Sequence, residues 1–112
     1  MTAERTDAFV VADRLLTDVG GMLPRPVLST PGMIAMMERN AALLAREELG
    51  HATVGFEVCV KHVAAAGEGA RCTVHAVLRE VVEDRKLRFG VEVREGDRVL
   101  GVGTHERRVV RR

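Results

Sequence analysis

Apolar residues recur at helical spacing between Thr30 and Leu49, the longest periodic segment of the chain. The apolar positions of this segment are Ile34, Met37, Ala41, Ala42, Leu44, Ala45 and Leu49. Thr30 is a suitable N-cap, Pro31 suits the first helical position, and Gly50 stands where helices commonly end. The pattern therefore predicts one amphipathic helix of about 19 residues, roughly 28 Å long at 1.5 Å per residue.

After Gly50 the period of the apolar residues changes from 3.6 to 2, which is typical of half-buried strands. The predicted strand positions are Val54, Phe56, Val58 and Val60, then Cys72 to Leu78, Leu87 to Val93, and Val99 to Val110. Turns are expected at Ala66–Gly69, Glu83–Arg85 and Glu95–Arg98, a short strand at Ala8–Ala12, and a loop from Leu15 to Leu28. This order predicts an α+β fold in which an antiparallel sheet curls around the single helix.

The composition is that of one small intracellular domain, residues 1–112, with a net charge of +1. The chain has only three aromatic residues and no Trp or Tyr, so it makes a poor platform for stacking nucleic-acid bases. No apolar run reaches the length of a membrane span, and the N-terminus does not resemble a signal peptide. Cys59 and Cys72 lack metal-ligand spacing and are expected to be buried thiols. We therefore expect a cytoplasmic protein with neither nucleic acid nor membrane as partner.

Glu38 and His62 are predicted to face the same helix–sheet interface. Glu38 lies within the apolar arc of the helix, where a carboxylate is costly unless it is paired or neutral. A helix that rolls Glu38 to an edge, or a structural ion pair, would explain it equally well. His62 is predicted to share one strand face with Val54, Phe56, Val58 and Val60. It could simply be a satisfied core histidine. A carboxylate and an imidazole at one interface are nevertheless a common arrangement for proton transfer or water activation.

Two further positions, Thr30 and Gly55, could support such chemistry. Thr30 is either a bare helix cap or a hydroxyl placed in the positive field of a helix N-terminus. It lies about 12 Å from Glu38 along the helix axis, so an imidazole or a second subunit would have to connect them. Gly55 interrupts an apolar strand, which indicates a bulge or a close approach of the backbone, and its N–H could bind an oxyanion. A barrel-like bend of the strand would explain this glycine as well.

The last predicted strand carries Gly101, Gly103, His105 and Arg107 on one face, which is too rich in glycine for an ordinary core. His105 and Arg107 could form a solvated strand end. Alternatively, Arg107 could bind a phosphate or a buried carboxylate in a bidentate manner.

Taken in order, these residues resemble the fluoroacetyl-CoA thioesterase-like branch of the hotdog superfamily. The resemblance covers about Val27 to Val110 with collinear spacing. The matching pieces are Val27-Leu28-Ser29-Thr30-Pro31-Gly32-Met33, Glu38 eight residues after Thr30, Val54-Gly55, Lys61-His62-Val63-Ala64 and Gly103-Thr104-His105-Glu106-Arg107.

The resemblance implies a hotdog fold that dimerises so that active sites lie at the subunit interface. Whether dimers assemble further into tetramers stays open. It also implies hydrolysis of short-chain acyl-CoA or acyl-carrier thioesters, with Thr30, Glu38 and His62 as the catalytic set. Gly55 and Arg107 would support substrate binding. No metal or organic cofactor is implied, because CoA arrives as part of the substrate. Which of Thr30 and Glu38 attacks the thioester stays open.

The chain also departs from the family pattern. The segment from Leu16 to Pro26 is short and has no aromatic residue, so a lid that discriminates fluorine cannot be inferred. Two other functions are compatible with the same fold. One is a non-catalytic acyl-CoA binding module, and the other is a hotdog enoyl-CoA hydratase.

Overall fold

The computed structural model describes residues 3–111 and contains one long helix packed against a five-stranded antiparallel sheet. The elements in chain order are β1 (Glu4–Val10), a 3₁₀ turn (Asp13–Leu15), β2 (Leu16–Thr17), β3 (Val27–Leu28), α1 (Thr30–Leu49), β4 (Thr53–His62), β5 (Arg71–Val82), β6 (Lys86–Glu95) and β7 (Arg98–Val109). The sheet order is β1-β5-β6-β7-β4, and β2 pairs only with β3. The predicted α+β architecture is confirmed.

The first strand and the loop before the helix differ in detail from the prediction. β1 begins four residues earlier than expected, at Glu4, and pairs with β5 at one edge of the sheet. The segment predicted as a loop contains the two-residue strands β2 and β3, which pair with each other. Within residues 3–111, no helix combines the length and the apolar character that crossing a bilayer requires.

Helix α1 begins with Ser29 as its N-cap, so the predicted cap at Thr30 is wrong. The Ser29 Oγ accepts a hydrogen bond from the Gly32 N–H at 2.9 Å, and Pro31 is the second helical residue. Thr30 is thus the first helical residue, and its hydroxyl is not used for capping. At the other end Gly50 has the predicted left-handed conformation, with φ of 71°.

The helix is rolled relative to the predicted apolar arc. Met33 and Asn40 face the core, whereas Ile34 is only half-buried. Asn40 tolerates this position because its amide donates to Arg5 O at 3.1 Å and to Asp7 Oδ2 at 2.8 Å. The same roll brings Glu38 to the edge of the interface, with 41% of its side chain exposed. The expected burial of Glu38 is therefore wrong.

Strand β4 lies at the second edge of the sheet and contains a β-bulge. Its register with β7 shifts between Gly55 and Glu57, so that Phe56 is an extra residue. The bulge reverses the alternation, and Val54 and Phe56, which were expected inside, are 54% and 60% exposed. Cys59 is exposed as well, contrary to the prediction, whereas Cys72 is buried as expected.

Strand β7 is rich in glycine where the helix approaches it. A Cβ atom at Gly101 would collide with the side chain of Met33, which is fully buried against this strand. Close packing of α1 thus explains one of the two glycines. His105 and Arg107 follow these glycines on the same face of β7, and they belong to the candidate active site.

Candidate active site

Thr30 and His62 are brought together at the junction of the helix start and the end of β4. The Thr30 Oγ1 and His62 Nδ1 atoms lie 2.9 Å apart, within hydrogen-bond distance. Thr30 can make this contact because Ser29 caps the helix. The N-terminal end of a helix also favours negative charge that develops nearby. We call Thr30 and His62 the hydroxyl–imidazole pair.

The second ring nitrogen of His62 has no partner among residues 3–111. The Nε2 atom is buried, yet no hydrogen-bond acceptor or donor of the described chain reaches it. Buried polar atoms in folded proteins are nearly always satisfied. If Thr30 donates to Nδ1, Nε2 carries the proton and requires an acceptor.

Glu38, Gly55 and Arg107 form a second group, which we call the carboxylate cluster. The Glu38 Oε2 atom lies 3.7 Å from the Arg107 Nη1 atom. A Cβ atom at Gly55 would lie only 2.6 Å from the same carboxylate oxygen. No positive φ is needed at Gly55, so the glycine serves here to leave room for the carboxylate.

Arg107 is fixed by three hydrogen bonds and is 7% exposed. Its Nε donates to Thr53 Oγ1 at 2.7 Å, and its Nη2 donates to Thr53 O at 2.9 Å. Its Nη1 lies 3.2 Å from the Nε2 of His105. Burial lowers the pKa of Arg107, and the negative charge of Glu38 partly opposes this shift. The guanidinium is therefore a rigid positive group beside Glu38.

His105 is buried behind Arg107, so the interpretation of this segment as a solvated strand end is wrong. Its exposure is 2%, and its Nδ1 lies 2.8 Å from the backbone oxygen of Glu57. Since a carbonyl can only accept, Nδ1 carries the proton and Nε2 accepts from Arg107. Burial lowers the pKa of His105, and the positive charge of Arg107 adds to this effect, whereas the hydrogen bond to Glu57 and the negative charge of Glu38 partly oppose it.

The two groups do not contact each other within the described chain. Gly55 and His62 are seven residues apart on β4, roughly 20 Å at about 3.3 Å per residue with one bulge residue. Thr30 and Glu38 are separated by about 12 Å of helix axis. All five predicted site residues therefore lie at the two ends of one helix–strand contact, Thr30 and His62 at one end and the other three at the other.

Sequence reasoning missed the roles of Ser29, Thr53 and His105. Ser29 and Thr30 are adjacent hydroxyl residues, and only the geometry of the helix start decides which of them is the cap. Thr53 precedes the bulge, so simple alternation placed it on the wrong face. His105 was noted on the same strand face as Arg107, and that shared face was the available signal for a contact between them.

Comparison with known proteins identifies a close family. The family described as fluoroacetyl-CoA-specific thioesterase matches residues 10–112. The fluoroacetyl-CoA thioesterase of Streptantibioticus cattleyicolor is 38% identical over 86 residues, which cover 75% of this chain and 61% of that protein. The chain thus spans about three-fifths of the length of this curated relative.

Solved structures agree with this assignment. The structure of the fluoroacetyl-CoA thioesterase FlK matches with a TM-score of 0.85 at 31% identity, covering 97% of this chain and 86% of that one. A mutant of FlK in complex with fluoroacetate and CoA matches with a TM-score of 0.86 at 30% identity, covering 97% and 93%. A thioesterase superfamily member from Thermus thermophilus matches with a TM-score of 0.84 at 25% identity, covering 97% and 82%. The chain has the hotdog fold and belongs to the fluoroacetyl-CoA-specific thioesterase family.

Proposed function

We propose that the protein hydrolyses short-chain thioesters of CoA or of an acyl carrier, at a site built from two copies of the chain. Family membership and the catalytic residue types support the activity. Mutants of FlK have been solved with acetyl-CoA and with fluoroacetate and CoA, which makes CoA thioesters the first substrates to test. The proposal does not include fluoroacetyl specificity, because residues 16–26 have no aromatic side chain. The proposed chemistry needs no metal or organic cofactor.

One observation carries the shared site: the buried Nε2 of His62 lacks a partner, while Glu38 is half-exposed beside Gly55. A carboxylate is the acceptor that a protonated Nε2 requires. Because the described chain does not bring the two together, the partner subunit's Glu38 is the acceptor in our proposal. Since Nε2 is covered within one subunit, the proposal requires the imidazole to turn toward the subunit interface to meet this carboxylate. Each site then combines the hydroxyl–imidazole pair of one subunit with the carboxylate cluster of the other.

Pairing of β4 with the same strand of a second copy produces this combination. β4 is an edge strand, and unpaired edges are normally covered in native proteins. Val58, Val60 and His62 face the helix after the bulge, and residues opposite each other in antiparallel strands share a face. A register centred on Cys59 satisfies this condition. This register places His62 opposite the Gly55–Phe56 bulge of the other subunit, next to the Glu38 of that subunit.

The proposed reaction follows from these contacts. Thr30 Oγ1 attacks the thioester carbonyl carbon, and its proton passes to His62 Nδ1. The N–H of Gly55 in the other subunit stabilises the oxyanion. The C–S bond breaks, the thiolate of CoA takes the proton from His62, and the acyl group stays on Thr30. A water that loses its proton to His62 then hydrolyses the acyl–threonine ester, which restores the hydroxyl and releases the acid.

A panel of acetyl-, propionyl- and longer acyl-CoA thioesters tests the activity, with release of free CoA thiol as the readout. The exposed thiol of Cys59 would react with a thiol reagent, so the assay is repeated with the Cys59→Ser variant, which lacks this background signal. We expect hydrolysis of the short-chain substrates. Binding of CoA thioesters without turnover would instead identify a binding module, and hydration of an enoyl-CoA would identify a hydratase.

Oxidative cross-linking tests the subunit arrangement. With Cys59 opposite itself across the two-fold axis, a mild oxidant removes two electrons and two protons from the paired thiols and yields a covalent dimer. The Cα separations of directly opposed residues in antiparallel strands, about 4.5–5.5 Å, suit a disulfide. Cys59→Ser should abolish the product, and Cys72 should not replace it because it is 2% exposed. A stable monomer of about 12 kDa in light scattering would contradict the shared site.

A further inference from the structure

Both ring nitrogens of His105 have hydrogen-bond partners, which a residue that only fills space in the core would not need. Its Nδ1–H donates to the Glu57 backbone oxygen at 2.8 Å, and its Nε2 accepts from Arg107 at 3.2 Å. Its ring stacks on Phe89, with the ring centres 6.1 Å apart. It therefore connects the strand segment just after the β4 bulge to the arginine beside Glu38.

Only the neutral imidazole can make both contacts. A protonated ring would carry an N–H at Nε2, which would then oppose the guanidinium of Arg107 at 3.2 Å. The charged groups that act on His105 are Arg107 on its own strand and Glu38 on α1. The neighbouring ring on β6 is Phe89, and β4 contributes only the Glu57 carbonyl to the hydrogen bonds. Glu38 is the only negative charge of this set.

Loss of the contact to His105 would leave Arg107 held only by Thr53. The two remaining hydrogen bonds fix the Nε and Nη2 atoms, whereas Nη1 is the atom that approaches Glu38 at 3.7 Å. The hydrogen bond to His105 is therefore the contact that fixes the nitrogen nearest the carboxylate.

We infer that neutral His105 is a positioning residue that aims Arg107 at Glu38, and that its protonation releases Arg107 and switches off thioester hydrolysis in acid. The inference rests on the proposed function, because Glu38 matters only if it orients His62 of the other subunit. The imidazole takes one proton from solvent when it charges and returns it when it is neutralised. Since burial disfavours this proton, the site keeps its active form through the neutral range.

The first test needs no variant and no turnover. In protein labelled with ¹⁵N at histidine and arginine, NMR should show His105 as the Nδ1–H tautomer at neutral pH. On acidification, protonation of His105 should coincide with loss of protection of the Arg107 Nη1 protons, measured as their exchange rate relative to that of a free arginine side chain at the same pH. Protection that stays unchanged while His105 titrates would overturn the inference, whether or not the protein hydrolyses thioesters.

The second test compares the acid limb of kcat/KM in wild type with that in His105→Gln. The glutamine amide can still donate to Glu57 and accept from Arg107, but it does not titrate. The limiting slope of the logarithmic acid limb should be smaller by about one in His105→Gln than in wild type, because the proton that His105 takes up no longer contributes. Equal slopes in the two proteins would contradict the inference.

His105→Phe, which keeps the stacking on Phe89, should lower activity more than tenfold, whereas His105→Gln should stay within a few-fold of wild type.

Discussion

At the scale of single residues, the adjacent hydroxyls of Ser29 and Thr30 have different tasks. Ser29 caps the helix, whereas Thr30 contacts His62. We predict that Ser29→Ala lowers stability by about 1 kcal/mol with little change in rate. Thr30→Ala should instead lower kcat by a large factor and leave the melting temperature nearly unchanged. Thermal unfolding and kcat, measured on both variants, separate the two roles.

If Thr30 and His62 act as one unit, the double variant Thr30→Ala/His62→Ala should be hardly slower than the slower single variant, because effects of residues that act as a unit are not additive. Activity near the wild-type level in the double variant would contradict the catalytic role of both.

Glu38 is a residue whose charge matters more to the proposed chemistry than to folding. It is 41% exposed, and its nearest positive group, on Arg107, lies 3.7 Å away. We predict that Glu38→Gln keeps the melting temperature of wild type but lowers kcat by on the order of 100-fold, since an amide accepts the His62 proton more weakly than a carboxylate. A rate within a few-fold of wild type would show that the carboxylate is not needed.

A substitution at Gly55 tests whether activity requires the space that this glycine leaves for the Glu38 carboxylate. A methyl group there would lie 2.6 Å from Glu38 Oε2. Because that oxygen ends a flexible side chain, we predict that Gly55→Ala folds normally, displaces the carboxylate and lowers kcat by at least tenfold. Circular dichroism and kcat should be measured together. Loss of the folded state instead would mean that the glycine is required by the backbone.

At the scale of elements, most of the fold could be predicted from the sequence. Helix α1 and the four strands that follow it have regular periods and clear turn residues, as at Gly50 and Gly96. Which residues of β4 face the helix could not be predicted for the whole strand. One bulge residue moves every side chain before it to the opposite face of the sheet. Gly55 indicated a bulge or a close approach, and the structure has both.

The rotation of helix α1 about its own axis could not be predicted from the sequence either. Asn40 occupies a core position only because β1 supplies the acceptors Arg5 O and Asp7 Oδ2, and a contact across 33 or more residues leaves no trace in local periodicity. The location of the protein in the cytoplasm and the roles of the five site residues stay predictions.

The hydrogen bond between Asp7 on β1 and Asn40 on α1 predicts that the stability of the fold depends on pH. Hydrogen bonds from Arg5 and then from Asn40, with burial opposing them, hold the pKa of Asp7 below its usual range. The stabilisation is complete above the ordinary pKa of an aspartate and is lost as the pH falls through the lowered pKa. We predict that the melting temperature of wild type falls more steeply on acidification than that of Asp7→Asn. Parallel curves would show that Asp7 does not contribute.

At the scale of the whole molecule, our proposal makes the site complete only when two copies of the chain meet along β4. The described chain holds the hydroxyl–imidazole pair and the carboxylate cluster at opposite ends of this edge strand. A two-fold axis between two such edges makes two equivalent sites, because the same surface is used by both subunits.

Mixed dimers of Glu38→Gln and His62→Ala subunits test this claim most directly. Each variant alone should be nearly inactive, but a mixed dimer has one site with intact Thr30 and His62 from one subunit and intact Glu38 from the other. Random exchange makes about half of the dimers mixed, so activity should recover to about a quarter of the wild-type value. Thr30→Ala mixed with His62→Ala is the matched control, since both changes affect the same half of the site and no recovery is expected. Recovery in the first mixture alone is the predicted result, and no recovery in either, with subunit exchange verified, would contradict the shared site.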